Sequence, residues 1–239
     1  MTIEGRPSGA GRERQVAAGL AEVRSRIATA ASQAGREADD VTLIVVTKLW
    51  PASDVRLLAG LGVTDVGENR DQEAGSKAAE CADLDVAWHF IGQLQTNKAR
   101  SVARYADVVH SVDRAHLVRA LDSAAVAAGR RLGCLVQVGL DHGTGRGGAA
   151  PEAVPELADL LAAASALELR GLMAVAPLDS DPKPAFERLA TLSADLRREH
   201  PGAGWISAGM SGDLEAAIAA GATHVRVGSA ILGHRAPLR

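Results

Sequence analysis

Aromatic side chains are scarce: two Phe, one Tyr and three Trp in 239 residues, 3% of the chain. Bulky rings therefore cannot fill the core, and packing must rest on Ala, Val, Leu and Ile within a 47% hydrophobic composition. Cysteine is nearly absent. Cys81 and Cys134 have no metal-ligand spacing, and with no secretory signal they are expected to be reduced thiols. Neither sign of charge dominates: the net charge is −3, spread along the chain without a basic stripe, which argues against nucleic acid as the main partner. No apolar run approaches membrane-spanning length, so no membrane partner is expected. The start, "MTIEGRPSGAGRER", lacks the apolar stretch of a signal peptide; residues 1–11 read as a loose tail and the protein as cytoplasmic. Seven histidines include no pair at i, i+4 and no H-x-H, so no metal site is expected. No linker divides the chain, no sustained heptad or sticky surface marks an oligomer, and a monomer with a single domain over 12–239 is expected.

What is present is a repeated unit, a short β-branched run, a turn and a helical stretch. Val16, Leu20, Val23 and Ile27 first make one apolar helix face, with Gly35 as its stop. Strands are then expected over 41–48, 65–69, 88–92, 108–113, 134–140, 169–175, 205–210 and 224–228. Helices are expected over 52–59, 71–80, 96–105, 114–128, 151–166, 184–199 and 212–220. Several strands are apolar on both faces, as parallel strands covered by helices must be. Eight strands alternating with helices, and no glycine-rich dinucleotide turn after the first, favour a single (β/α)8 TIM-type barrel with an extra N-terminal helix over a doubly wound sheet.

Barrel chemistry sits where strands hand over to the following helices. There, polar residues interrupt apolar runs. "VTLIVVTK" ends in Lys48, which shares a face with Ile44 and Val46. Lys48 either caps the strand and reaches into water, or stands at the mouth of an apolar well where burial disfavours its charge and leaves a nucleophilic amine. Arg226 lies between Val225 and Val227, so it points inward if they pack against helices. It then needs an acceptor, either an internal carboxylate or a ligand's ring nitrogen or phosphate. In "SAGMSGDLEAAIAAG", Ser211 reads as an N-cap with Asp213 in the first helical turn, and "RVGSAILG" offers a second small-residue turn at Val227, Gly228 and Ser229. Loops after strands seven and eight are frequent phosphate sites in barrels. His89, beside Trp88, reads as a core histidine. The 141–148 segment "DHGTGRGG" lacks the P-loop ending and reads as a flexible loop, with Arg146 as a possible shield of the cleft.

"VVTK", "GEN", "WHFIGQLQTNK", "RGLMAV", "SAGMSGDLEAAIAAG" and "VRVGSAILG" resemble the signatures of the pyridoxal-phosphate-binding YggS/PROSC family, the pyridoxal phosphate homeostasis proteins. The resemblance runs from the first helix to Gly233, and the family is similar in fold to the barrel domain of alanine racemase. It implies pyridoxal 5′-phosphate (PLP) as cofactor, held by Lys48 as an internal aldimine, with Arg226 facing the pyridine nitrogen. It implies Ser211, Gly228 and Ser229 as phosphate ligands, with the Met210 backbone nearby. Asn69, His89, Ser111 and Met173 would line the rest of the pocket.

An arginine at the ring nitrogen keeps it unprotonated and weakens the electron sink that amino-acid chemistry uses. A racemase then needs two opposed bases. The one tyrosine, Tyr105, precedes the fourth strand and so is expected at the end of the barrel away from Lys48, and no second domain is expected after the eighth strand. The expectation is therefore a PLP carrier in vitamin B6 homeostasis with no catalytic residues and no substantial turnover, with apo PLP-enzymes as recipients. A racemase-like enzyme using His89 or water as second base is the alternative, and a Schiff-base aldolase a third reading.

Overall fold

The computed structural model of the chain describes residues 9–140, 147–177 and 180–233. Helix α1 spans Gly9–Gln33, and its buried Val16, Leu20, Val23 and Ile27 are the expected face. Each such side chain contributes about 1.5–3 kcal/mol when taken from water. Gly35 stops the helix at φ +66°, a left-handed angle that costs glycine little, and the Arg36 N–H bonds back to the Ala31 carbonyl at 2.9 Å. The helix begins at Gly9, inside the expected tail; the remainder of that tail lies outside the described residues.

Eight strands follow: β1 Thr42–Val46, β2 Asp65–Glu68, β3 Ala87–Phe90, β4 Val108–Val112, β5 Leu132–Gln137, β6 Leu167–Met173, β7 Trp205–Ser207 and β8 His224–Val227. All neighbours pair in parallel, and β1 closes on β8 with Ile44 opposite Arg226. That closing pair is what makes the alternating pattern a barrel and not an open sheet. The connecting helices are α2 Ala52–Gly60, α3 Asp71–Glu80, α4 Ala99–Val102, α5 Ala115–Ala128, α6 Val154–Ala162, α7 Lys183–Glu199 and α8 Leu214–Ala219, and a last turn, α9 Ser229–Leu232, follows β8. The helix expected over 96–105 is a 3₁₀ turn, Thr96–Lys98, leading into the short α4.

Two apolar shells lie between barrel and helices. One joins Val45, Val66, Val225 and Val227 to α1 and α2; the other joins Val109, Cys134, Val136 and Leu172 to α5, α6 and α7. Cys81 and Cys134 are buried free thiols, and burial pushes Cys134 up to about 12. The interior has its own small apolar group of Val108, Leu135 and Met173. Helix α1 ties down the β8 side of the structure. Arg12 bonds Asp54 and the Leu232 carbonyl and stacks 4.2 Å from the Trp50 ring, while Arg26 pairs with Glu215 at 2.6 Å and bonds the Ser211 carbonyl at 2.9 Å. Among the described residues no helix is long and apolar enough to cross a membrane.

Candidate functional site

A cavity of about 500 Å³ opens at the C-terminal ends of the strands. Its wall brings together Lys48, Asn69, Met173, Met210, Ser211, Arg226, Gly228 and Ser229 from the expected set, with Val46, Trp50 and Ile91 among the apolar residues. His89 and Ser111 do not line it. Both are buried: His89 lies in the barrel interior, bonded to other side chains, and the Ser111 hydroxyl has no hydrogen-bond partner among the described residues, next to the irregular β4–β5 register between Val109 and Val112. Arg146 and most of the 141–148 loop lie outside the described residues.

Strand β1 ends at Val46 and not at Lys48. Two residues further in the same alternation, Lys48 stands exposed at the cavity mouth, in a turn whose Leu49 has φ 68°. A left-handed leucine costs of order 1 kcal/mol and needs support. That support faces away from the cavity. Thr47 Oγ1 donates to Glu68 Oε1 at 2.6 Å, and Lys77 Nζ donates to the same oxygen at 2.6 Å and to the Thr47 carbonyl at 2.7 Å. Lys77 also pairs with Glu73 at 2.8 Å, and Glu73 accepts the Leu49 N–H. Glu68 and Lys77 were not among the expected residues. Their only sequence signals are the i, i+4 spacing of Glu73 and Lys77 and the carboxylate inside "GEN".

The phosphate-like corner is built from two turns. Ser211 Oγ and Ser229 Oγ lie 3.2 Å apart. A Cβ on Gly228 would stand 3.0 Å from the Val46 carbonyl, so glycine is what lets this turn approach β1. Ser211 is not the helix cap expected from sequence. Helix α8 starts at Leu214 with Asp213 at the N-cap position, because the Asp213 carboxylate accepts the Met210 N–H at 2.6 Å and closes the intervening turn. The Ser211 hydroxyl is thereby left on the cavity side.

Arg226 is buried, and no carboxylate among the described residues bonds it. Nη1 donates to Ser207 Oγ at 2.6 Å and Nη2 to the Ala174 carbonyl at 2.9 Å. Burial pulls its pKa down to about 10, Asp213 acting in the other direction, so it is a cation at neutral pH. Of the two readings open at the sequence level, an internal carboxylate partner is excluded among the described residues. Lys48 and Arg226 are the only ionisable groups among the described lining residues. Tyr105 lies outside the barrel wall against Gly75 and Trp88, its hydroxyl pushed up by burial and by nearby Asp71.

Below the cavity, His224 lies 4.0 Å from the Trp205 ring, and burial above all lowers it to about 4. His110 is lowered well below the ordinary histidine value, again by burial first. Both are neutral in the fold and charge more readily once unfolded. For His224 this contribution, about 3 kcal/mol, is complete above about pH 6.5 and is lost as pH falls towards 4, and His110 acts in the same direction. Urea midpoints should therefore fall steadily from pH 7 to 4.5, with a shallower slope in His224→Asn. A midpoint that does not move over that range contradicts these environments.

The chain is thus a closed parallel barrel with Lys48 at the cavity mouth and Arg226 buried beneath it, and it matches the alanine racemase N-terminal domain family. That family matches residues 20–236, and the chain belongs to it. The alanine racemase of Clostridium difficile shares the fold at TM-score 0.70 and 16% identity, over 94% of this chain and 58% of that one. Within this frame the chain belongs with the pyridoxal phosphate homeostasis proteins. The Mycobacterium tuberculosis H37Rv protein of that name is 46% identical over 243 aligned positions, 94% of each chain. PipY of Synechococcus elongatus PCC7942, solved with PLP bound, superposes at TM-score 0.80 with 35% identity, over 91% of this chain and all of that one.

Proposed function

We propose that this chain binds pyridoxal 5′-phosphate in the cavity and serves vitamin B6 homeostasis as a carrier, without substantial turnover. The relatives' name and the PLP-bound PipY structure support the ligand. The single observation that carries the assignment in this chain is that one exposed amine shares the cavity with one buried guanidinium whose acceptors among the described residues are all neutral. PLP supplies an aldehyde that reacts with primary amines and a ring that can withdraw electrons. Lys48 supplies the amine for a covalent link. Arg226 donates towards the ring nitrogen, which as an unprotonated base is an acceptor. Ser211, Ser229 and the Gly228 turn receive the phosphate, with Met210 beside them. Asn69 and Met173 border the remainder, and His89 acts from beneath.

The same inventory argues against racemisation, because no second base faces Lys48 among the described lining residues. The working unit is one barrel domain over 12–239, a cytoplasmic monomer that passes PLP to apo-enzymes. The test is a titration of the purified chain with PLP, followed by borohydride reduction and peptide mapping. One label per chain on Lys48 is expected, and none on Lys77, Lys98 or Lys183, the other three lysines. A label distributed among lysines, or none, overturns the reading. Exchange of the α-hydrogen of alanine in deuterated water, dependent on Lys48, would replace the carrier with the racemase.

A further inference from the structure

A series of polar side chains runs across the barrel interior. Asp65 opens β2, His89 lies in β3, His110 in β4, Ser207 ends β7 and Arg226 lies in β8. They are linked in that order. His89 Nε2 is 2.9 Å from Asp65 Oδ1, His89 Nδ1 is 2.9 Å from His110 Nε2, and His110 Nδ1 is 2.9 Å from Ser207 Oγ. Arg226 Nη1 completes the series at 2.6 Å from the same hydroxyl. The His110–Ser207 link crosses the barrel, since β4 and β7 are not neighbours. The four residues from His89 to Arg226 are buried, and only Asp65 is partly open, at the N-terminal end of the strands opposite Lys48.

The donors in this series have one consistent assignment with neutral rings. A guanidinium only donates, so Ser207 Oγ accepts from Arg226. At the other end the Asp65 carboxylate only accepts, so His89 Nε2 carries its proton, His89 Nδ1 accepts from His110 Nε2, and the bare His110 Nδ1 takes the Ser207 proton. Asp65 is a carboxylate, held below its ordinary range although burial acts to raise it, because His89 and Thr64 both donate to it. A serine that accepts at one end and a carboxylate that accepts at the other give the series its direction.

We propose that Asp65, His89, His110 and Ser207 form a one-way file of hydrogen bonds that fixes the Arg226 guanidinium under the cavity, with Asp65 as its remote counter-charge. These are positioning residues: none touches the space that the cofactor fills. Hydrogen bonds in series polarise one another in a low-dielectric interior, so a buried cation is compensated without a carboxylate at its side. An adjacent carboxylate would have competed with the ring nitrogen for the same donors. The other ionisable groups facing this file are His224 of β8, bonded to Thr223, and Asp213 beyond Arg226. The file itself is independent of the PLP assignment and rests on it only where affinity is read.

Long-range nitrogen–proton NMR of the ligand-free, labelled chain near pH 7 should show His89 and His110 both neutral with the proton on Nε2, assigned with His89→Gln. A proton on Nδ1, or an imidazolium, at either ring of the wild-type chain overturns the proposal. In Asp65→Ala, both rings should become tautomer mixtures and PLP affinity should fall about 5–10-fold, with the borohydride label still on Lys48. Unchanged tautomers, or altered tautomers with unchanged affinity, overturn the link to Arg226. Ordered tautomers in a wild-type chain that does not bind PLP would sink the cofactor reading and leave the file standing.

Discussion

Lys48→Ala should purify folded, take no borohydride-fixed label from PLP, and bind it about 100-fold more weakly, close to 3 kcal/mol. The fold should survive because Lys48 is exposed and lies beyond the end of β1, where substitutions usually change stability by no more than about 0.5 kcal/mol. Residual, non-covalent binding should remain, because Ser211, Ser229 and Arg226 are untouched. Lys48→Arg separates the two roles of the lysine: it keeps a cation at the mouth but has no amine that can condense, and should behave like alanine in labelling. Absorbance titration and mass spectrometry of the reduced protein decide the matter. A variant that still labels, at Lys48's neighbours or elsewhere, would show that the amine at the mouth is not the attachment point.

What makes Lys48 and Arg226 legible in the sequence is that each breaks an apolar run. A charge inside "VTLIVVTK" or "HVRVGS" contradicts the pattern around it, and strand alternation then gives the side it faces. The number of strands and their parallel sense are legible for a similar reason, since unbroken Val, Ile and Leu runs require cover on both faces. Closure is not legible from alternation alone; it depends on β1 meeting β8 at Thr42 and His224. Strand ends are lost where a turn takes over. The first strand stops two residues early because Leu49 turns left-handed, and the helix after β7 starts late because Asp213 bonds backwards to Met210. Partners distant in sequence are the least legible. His110 and Ser207 are 97 residues apart and meet only across a closed barrel. His89 is read as a core histidine from its apolar neighbours, and the structure gives it two polar partners that no local pattern records.

The other large effect is expected at Lys77, which nothing in the sequence marks as part of the site. Its side chain is 6% exposed and that of Glu68 1%, so their 2.6 Å contact is an ion pair removed from water. Such a pair adds little over an apolar pair of the same volume, but breaking it leaves a buried charge and costs about 3–5 kcal/mol. Lys77→Met should lose that much in urea unfolding, with Glu68 taking up a proton in the folded state, as burial already raises its pKa. Domains have only about 5–15 kcal/mol to lose, so the variant should fold with a much lower midpoint. The Glu68→Leu/Lys77→Met pair should recover most of the loss, because no fully buried charge is then left unmatched and Glu73, which also loses Lys77, is partly open to water. Strict additivity in this cycle would mean that the two side chains do not act together. A second consequence separates this network from ordinary core packing. Lys77 holds the Thr47 carbonyl, and its partner Glu73 holds the Leu49 N–H, so together they clamp the turn on both sides of Lys48. PLP should therefore label Lys48 more slowly in both the single and the double variant, even where stability has been restored. Recovery of stability together with full labelling rate would show that the ion pair supports the barrel and not the turn.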